Sequence, residues 1–301
     1  MRSVIVIFLD GVGLGKADEA SNPFFFREFD FARKLFGELP SLENPFLRNG
    51  DGVCVFPSDA TLETEGLPQS GTGQTSILCG VNAAKITGGH FGPFPHSSLN
   101  ETIKKKNVYS ELRRKGFSGT FANAYPPKFF EYLKKGRSRM AATTKAALGA
   151  GLKLRDIKDL RDGVALSHEI DNWRWKNKLG LPVGTVSPKN AALNLLRLSE
   201  NYDFVFFEYF FTDRWGHGRN LDFYAHGIET LNEFLTEVIA NLKSGSALLV
   251  CSDHGNFEDL SVKTHTRNPA FTLAAGEQSE MFAREIKTLA DIQRAVIKFL
   301  L

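Results

Sequence analysis

The sequence predicts an α/β protein with a mostly parallel central sheet, helices on both faces and an inserted cap region. Ser3–Leu9, Asp203–Phe211 and Ala247–Cys251 are continuous apolar runs. Runs of this kind are typical of parallel strands that are covered on both faces. Amphipathic helical patterns lie between them, and the longest, Leu221–Lys243, has apolar residues at helical spacing. The 301 residues suffice for one large α/β domain, or for a core with an inserted cap.

Composition excludes several classes of protein. A hydrophobic content of 42% and a charged content of 24% fit a globular protein with a sizeable core, and a net charge of +3 gives no global polyanion-binding signature. The three cysteines are far apart in the chain, which predicts reduced thiols rather than a disulfide framework. Val4–Leu9 is too short for a signal sequence, and no run approaches the ~20 apolar residues of a membrane span. We therefore expect a cytoplasmic protein with no membrane partner.

Asp10 directly follows the first apolar run and opens a glycine-rich turn, DGVGLG. The glycine spacing does not match a dinucleotide-binding fingerprint, and no clear helix follows it, which argues against a nucleotide-binding oxidoreductase. A haloacid-dehalogenase-like aspartyl nucleophile would need a second Asp where Val12 stands. The interpretation that agrees with the rest of the chain is a carboxylate at a strand end, with glycines that let a ligand approach the backbone.

Gly66–Asn82 is the second informative stretch, after an irregular stretch at Ala17–Thr64 that we interpret as a surface excursion. Its Gly/Ser/Thr-rich loop passes into an apolar segment, which predicts a turn that leads into a helix. The N-terminus of a helix presents free N–H groups that suit a phosphate, and Ser70, Thr72 and Thr75 place hydroxyls there. Helix capping is the alternative role for these hydroxyls, and for this stretch alone it is favoured.

Residues 91–199 are predicted to form a basic cap, inserted between two segments of a metal-binding core domain, 1–90 and 200–301. Asn100–Arg161 carries sixteen Lys or Arg against five acidic residues, a balance of +11. Most such charges are solvated helix faces, but a basic cap over an acidic site would also attract an anionic substrate. No nucleic-acid partner is expected, because the aromatic residues show no stacking-motif arrangement. The patterns in this range are helices at Glu101–Gly116, Pro126–Lys135, Ala141–Gly149 and Ser187–Glu200, and a strand at Phe117–Ala122.

Acidic and imidazole side chains follow the second and third apolar runs at the points where these end. Asp213 and His217 are four residues apart, so a helix would place both on one face. Asp253 and His254 come directly after the third run. Because an unpaired buried charge is costly, and because parallel strands end at one edge of a sheet, these side chains favour a metal site. The candidate ligands are Asp10, Asp213, His217, Asp253, His254 and His265. Six ligands suit two neighbouring ions.

The motifs FLDGVG, the Ser/Thr-bearing loop, TDRWGHG, SDHGN and THTRNP resemble, in this order, those of the alkaline-phosphatase superfamily. The similarity is greatest to the branch of cofactor-independent phosphoglycerate mutase and phosphopentomutase, and it covers roughly residues 1–82 and 200–301. The resemblance implies an alkaline-phosphatase-like core with a variable cap. It also implies two ligand groups, one of Asp213, His217 and His265, the other of Asp10, Asp253, His254 and the nucleophile hydroxyl.

The resemblance further implies phosphoryl transfer that depends on two metal ions, by a phosphohydrolase or a phosphomutase. The substrate would be a small phosphoester, and the intermediate a phosphoserine or phosphothreonine. Ser70 is favoured as nucleophile and metal ligand, ahead of Thr72 and then Thr75. Asp and His ligands suit Zn²⁺ or Mn²⁺ better than Mg²⁺. The alternative is a non-catalytic phospholigand-binding domain of the same fold, although all six ligand positions are filled. The sequence does not predict the oligomeric state.

Overall fold

The structure of the protein is a computed structural model that describes residues 2–25, 29 and 31–301. At its centre lies a seven-stranded sheet in the order β2-β3-β7-β6-β1-β5-β4. The strands are β1 (Ser3–Leu9), β2 (Leu47–Arg48), β3 (Val53–Ser58), β4 (Gly119–Phe121), β5 (Phe204–Tyr209), β6 (Ser246–Cys251) and β7 (Ala270–Gly276). The three apolar runs of the sequence are therefore β5, β1 and β6, which are neighbours at the centre of the sheet.

Helices connect most of these strands. They are α1 (Phe31–Phe36), α2 (Ser70–Cys79), α3 (Ala83–Thr87), α4 (Asn100–Lys106), α5 (Val108–Arg114), α6 (Pro127–Lys134), α7 (Ala142–Gly149), α8 (Ile157–Arg161), α9 (Trp173–Asn177), α10 (Pro188–Leu198), α11 (Phe211–Gly216), α12 (Tyr224–Ala240), α13 (Ser279–Glu285) and α14 (Ile292–Leu300). Short 3₁₀ turns precede α4, α12 and α14. Among the described residues, no helix has both the length and the apolar character that crossing a membrane requires.

The sheet is parallel on one side of β6 and antiparallel on the other. β1 pairs in parallel with both β5 and β6, and β4 extends this group beside β5. β7 is antiparallel to β6 and to β3, and β2 is antiparallel to β3 at the edge. Five of the seven strands thus run in one direction, as the predicted mostly parallel sheet requires.

Both faces of the sheet are covered by helices. The side chains of β1 alternate, so that Val6 and Phe8 pack with α2, α5, α7 and α14, whereas Ile5 and Ile7 pack with α10, α11 and α12. Every residue of β1 is buried. This burial explains a run of apolar residues without polar alternation, because neither face of the strand meets water. The predicted α/β fold class, with helices on both faces, is confirmed.

Two local predictions were wrong. Residues 17–64 are not a surface excursion throughout, because β3 is a largely buried strand that pairs with β7 over six residues. The helix expected at Glu101–Gly116 is two helices, α4 and α5, because Asn107 interrupts it and its side chain caps α5 by accepting from the N–H of Ser110 at 3.0 Å. A side chain that bonds the local backbone in this way competes with helix continuation.

Residues 91–199 contribute to the sheet as well as to the surface. β4 lies at the sheet edge, and α4, α5 and α7 pack on the same face as α2. A separate small apolar cluster forms within the range and includes Leu160, Trp175 and Val183. The division of the chain into a core domain and a cap stays a prediction.

Candidate metal centre and active site

The six predicted ligands lie where neighbouring strands of the sheet end. Asp10 follows β1, Asp253 and His254 follow β6, Asp213 and His217 belong to the turn of helix after β5, and His265 precedes β7. Because β5, β1 and β6 are parallel neighbours, their carboxyl ends meet at one edge of the sheet. The side chains form two groups of three, and in each group the candidate ligand atoms lie within 4.8 Å of one another.

The first cluster consists of Asp10, Asp253 and His254. His254 Nε2 lies 3.4 Å from Asp10 Oδ1 and 3.6 Å from Asp253 Oδ1. Asp253 and His254 are fully buried. Within the described part of the chain, Asp10 Oδ1 and Asp253 Oδ2 have no hydrogen-bond partner, although leaving a buried carboxylate oxygen unpaired is costly. These residues therefore fit a divalent cation, which would satisfy both oxygens.

The hydroxyl of Ser70 adjoins the first cluster. Ser70 is the first residue of α2, and its Oγ lies 3.1 Å from His254 Nε2. Thr72 and Thr75 instead donate their hydroxyls to backbone carbonyls one turn back, at 3.0 Å and 2.6 Å. The helix cap is Gln69, whose side chain makes no capping hydrogen bond. The capping role, favoured for this stretch alone, is thus not what the Ser70 hydroxyl does.

The second cluster consists of Asp213, His217 and His265. Asp213 Oδ1 lies 3.3 Å from His217 Nε2 and 3.5 Å from His265 Nε2, and the two Nε2 atoms are 3.2 Å apart. His217 Nδ1 lies 2.8 Å from the carbonyl of Lys263, and His265 Nδ1 lies 2.6 Å from that of Pro68. If each Nδ1–H donates to its carbonyl, both Nε2 lone pairs face inward, which is the usual arrangement of metal-binding imidazoles. The donor set fits a cation.

Burial and neighbouring charges shift the pKa values of the carboxyls. Burial, followed by the charges of Asp253 and Asp213, raises the pKa of Asp10 well above its ordinary value. Burial also tends to raise the pKa of Asp213, but hydrogen bonds with His217 and His265 outweigh it and hold the pKa below its ordinary value. The hydrogen bond with Asp213 raises the pKa of His217. Acidic groups this close together oppose one another's ionisation, and a bound cation would relieve that repulsion.

Two residues that the sequence did not single out hold the clusters in place. Asn256 Nδ2 donates to Asp213 Oδ1 at 2.8 Å. The carboxylate of Glu258 accepts from the backbone N–H groups of Gly13 and Asn256, at 2.9 Å and 2.7 Å, and so ties the turn after β1 to the loop after β6. A Cβ on Gly13 would lie 2.6 Å from this carboxyl carbon, so the contact requires glycine. The available signal was their place in the chain, because Asn256 ends the SDHGN motif and Glu258 lies two residues after it.

Residues 2–301 match the family described as the metalloenzyme superfamily. The chain belongs to this superfamily. Its curated relatives include phosphopentomutases, and the enzyme from Buchnera aphidicola subsp. Schizaphis graminum is 24% identical over 154 residues, which cover 50% of this chain and 35% of that protein. The enzyme from Helicobacter pylori strain G27 is 29% identical over 114 residues, which cover 37% of this chain and 27% of that protein. The matched segments thus span about a third of these relatives or less.

Several solved structures share the fold of this protein over nearly its whole length. The PH0037 protein from Pyrococcus horikoshii superposes with a TM-score of 0.56 at 14% identity, covering 99% of this chain and 96% of that one. Alkaline phosphatase from the Antarctic bacterium TAB5 gives 0.53 at 13% identity, covering 99% and 97%. At such identities the likeness concerns the fold alone, and it confirms the expected alkaline-phosphatase-like architecture.

A cavity of about 500 Å³ reaches α11, the helix that carries Asp213 of the second cluster. Arg214, which follows Asp213 in α11, and Glu208 of β5 line it, and so does Arg174. Burial, and then the charge of Arg174, lowers the pKa of Arg214. Arg174 Nη1 is buried without a hydrogen-bond partner among the described residues. Two partly buried guanidinium groups that line one cavity suit an anionic ligand. Arg174 and Glu208 were not predicted as site residues, because they belong to no recognised motif.

Buried ionisable groups form another part of the cavity wall. Burial raises the pKa of Glu208 to about 7, and it lowers the pKa of His168 to about 3. Thr143 donates its hydroxyl to Glu208 at 3.0 Å. His168 is therefore neutral at pH 7 and Glu208 is only partly ionised there, while the arginines supply positive charge to the cavity wall.

Proposed function

We propose that this chain is a phosphoryl-transfer enzyme that depends on two divalent metal ions and acts on a small anionic phosphoester through a phosphoserine at Ser70. The observation that carries the proposal is the position of the Ser70 hydroxyl, 3.1 Å from His254 Nε2 at the N-terminus of a buried helix. This position places a candidate nucleophile in contact with a buried cluster of acidic and imidazole side chains. The similarity to phosphopentomutases supports a phosphoester as the substrate.

Two groups of residues would hold the ions. Asp10, Asp253, His254 and the Ser70 oxygen would bind one, and Asp213, His217 and His265 the other. Bound there, Zn²⁺ or Mn²⁺ would lower the pKa of the serine hydroxyl and offset the charge of the phosphoryl oxygens.

Ser70 Oγ attacks phosphorus in the first step. The bond from Oγ to phosphorus forms as the bond from phosphorus to the leaving oxygen breaks. Oγ loses its proton, and the leaving oxygen gains one. In the second step the oxygen of water, or of another substrate hydroxyl, attacks phosphorus, and the bond from phosphorus to Ser70 Oγ breaks. The proton that the attacking oxygen loses returns to Ser70 Oγ. Water as acceptor makes the enzyme a phosphohydrolase, and a substrate hydroxyl makes it a phosphomutase.

Other groups of the chain orient the phosphoester. α2 begins at Ser70, so the positive end of its dipole would stabilise a phosphoryl group bound at this residue. Arg174 and Arg214 line the adjoining cavity and would bind the remaining negative charge. Guanidinium groups suit this role because their planar donors match phosphate oxygens in pairs.

The proposal is tested by metal analysis together with a panel of phosphomonoesters and diesters. We expect tightly bound transition metal, turnover that chelation abolishes and added metal restores, and a phosphorylated Ser70 peptide after acid quenching. Release of inorganic phosphate identifies a hydrolase, and an isomeric phosphoester identifies a mutase. Protein that binds no metal and shows no metal-dependent turnover contradicts the proposal. Metal and phosphoester binding without turnover would instead support a non-catalytic phospholigand-binding domain.

A further inference from the structure

A second cavity continues the first one away from the metal clusters. It has a volume of about 640 Å³ and shares Phe94, Pro126, Phe129 and Arg139 with the cavity beside the clusters. Either volume alone lies in the range of roughly 300–1,000 Å³ that holds a drug-sized ligand. Together the two cavities offer far more space than a pentose or triose phosphate occupies.

One side of the joined cavities is a continuous row of aromatic rings, which we call the aromatic wall. It consists of Tyr132, Phe129, Tyr125, His168 and Phe210. From one end to the other, successive ring centroids are 6.2, 4.2, 5.3 and 5.0 Å apart. Burial lowers the pKa of His168 to about 3, so this ring is neutral and the wall carries no charge there. A surface of this kind suits a flat, apolar body.

Positive charge lies at both ends of the aromatic wall. Arg214 stacks over Phe210 at 5.0 Å, at the end beside the metal clusters. At the far end Arg137 stacks over Tyr132 at 5.5 Å, and Arg139 stacks over Phe94 at 5.0 Å. Stacking holds a guanidinium in place while its donors stay free for an anion.

The far end is ordered by a contact of its own. The Tyr132 hydroxyl donates to the carbonyl of Arg139 at 2.9 Å and fastens the segment that carries Arg137 and Arg139 against α6. Lys128 and Lys135 line the same cavity together with Glu131, and with Arg137 and Arg139 the cations outnumber this carboxylate. Among the residues that the structure describes, these four cations take part in none of the ion pairs. Their charge is therefore available to a ligand.

We propose that the substrate is an elongated phosphoester, with its phosphoryl group at Ser70, a flat apolar body along the aromatic wall and a second anionic group bound by Arg137 and Arg139. The position of the phosphoryl group in this inference rests on the proposed function. The positions of the apolar body and of the second anionic group rest on the two cavities. It separates this chain from enzymes whose substrates are small sugar phosphates, because such a substrate would leave the second cavity and its cations unused.

The test uses three non-hydrolysable ligands, so that differences between leaving groups do not affect the measured affinities. They are methylphosphonate, naphthylmethylphosphonate, and the same naphthyl compound with a sulfonate on its far ring. Calorimetry on the metal-loaded protein measures the Kd of each. We expect the ring to strengthen binding roughly tenfold, and the sulfonate to strengthen it roughly tenfold again, as charged hydrogen bonds do. The double variant Arg137→Ala/Arg139→Ala should lose the sulfonate increment.

The matched control is Lys115→Ala/Lys153→Ala, which removes two exposed cap charges that line neither cavity. It should keep the sulfonate increment, which excludes a general charge effect. Equal affinity for all three phosphonates, or a sulfonate increment that survives the loss of Arg137 and Arg139, overturns the inference. Failure of the proposed function would give a different result. The metal-loaded protein would then turn over no phosphoester, whatever the order of the three affinities.

Discussion

The imidazole rings of His254 and His265 stack on each other, with centroids 3.8 Å apart and planes inclined by 17°. His254 belongs to the first cluster and His265 to the second. The segment after β6 therefore supplies ligand candidates to both clusters and sets the separation between them. Because the two rings are in contact, a substitution that displaces the residues of one cluster should also displace those of the other.

Replacing Ser70 should separate binding from chemistry. We expect Ser70→Ala to lower kcat by at least a thousandfold, as loss of a covalent nucleophile does, with an unchanged melting temperature. Thr72→Ala removes a hydrogen bond to the Gln69 carbonyl and should cost about 1 kcal/mol of stability while kcat stays within roughly threefold. Steady-state kinetics and thermal melts measure both. If Thr72→Ala alone abolished turnover, Thr72 and not Ser70 would be the nucleophile.

Asn256→Ala should weaken the second metal site selectively. Its side chain donates to Asp213 Oδ1 at 2.8 Å, and partners of this kind typically change metal affinity about 10–100-fold. Competition with a chromogenic chelator should show one weakened ion and one that binds as before. The control is Asn241→Ala, at the exposed end of α12, where the side chain bonds Glu237. Equal weakening of both ions would mean that Asn256 acts on the whole loop rather than on Asp213.

Gly13→Ala should destabilise the fold. The added Cβ would lie 2.6 Å from the carboxyl carbon of Glu258, in a site where both partners are fixed. Overpacking of this kind typically costs about 1–3 kcal/mol. Urea unfolding measures the loss. Gly50→Ala is the matched control, because a Cβ there meets nothing within 4 Å. Similar unfolding midpoints for Gly13→Ala and the wild type would show that the turn after β1 can move away from Glu258.

The carboxyl of Glu169 should make stability depend on pH. Burial raises its pKa from 4.5 to about 7, so the folded state holds a proton that the unfolded state releases between these values. The carboxyl thus costs stability increasingly as pH rises through this window, and the full cost applies above it. Glu169→Gln keeps the acceptor for the N–H of Trp175 and carries no charge. Its stability relative to the wild type should rise by about 2–3 kcal/mol from pH ~4.5 to pH ~8.

Urea unfolding of Glu169→Gln at both pH values measures this change. Glu229→Gln, on the exposed side of α12, provides the control and should show no comparable trend. A stability difference that stays the same at both pH values would mean that folding does not shift the pKa of Glu169.

The candidate ligands could be predicted from sequence because each contrasts with its neighbours. Asp10, Asp213 and Asp253 come after runs apolar enough to be buried strands, where an acid is costly without a partner. This contrast is visible in the local sequence pattern. The order of the motifs along the chain then indicated the family. Arg174, in a short helix, shows no such contrast and could not be recognised in this way, whereas Glu208 does contrast with the apolar residues of β5 and was overlooked.

The sequence by itself determined the strands β1, β5 and β6, the long helix after β5 and the residue types at the strand ends, because hydrophobic periodicity is a local property. Only the tertiary structure decided which polar groups meet. It paired β3 with β7, brought Ser70 to His254, stacked His254 on His265 and joined two cavities along one aromatic wall. Most of these contacts link residues far apart in the chain, where side-chain packing and hydrogen bonding, and not local propensity, set the geometry.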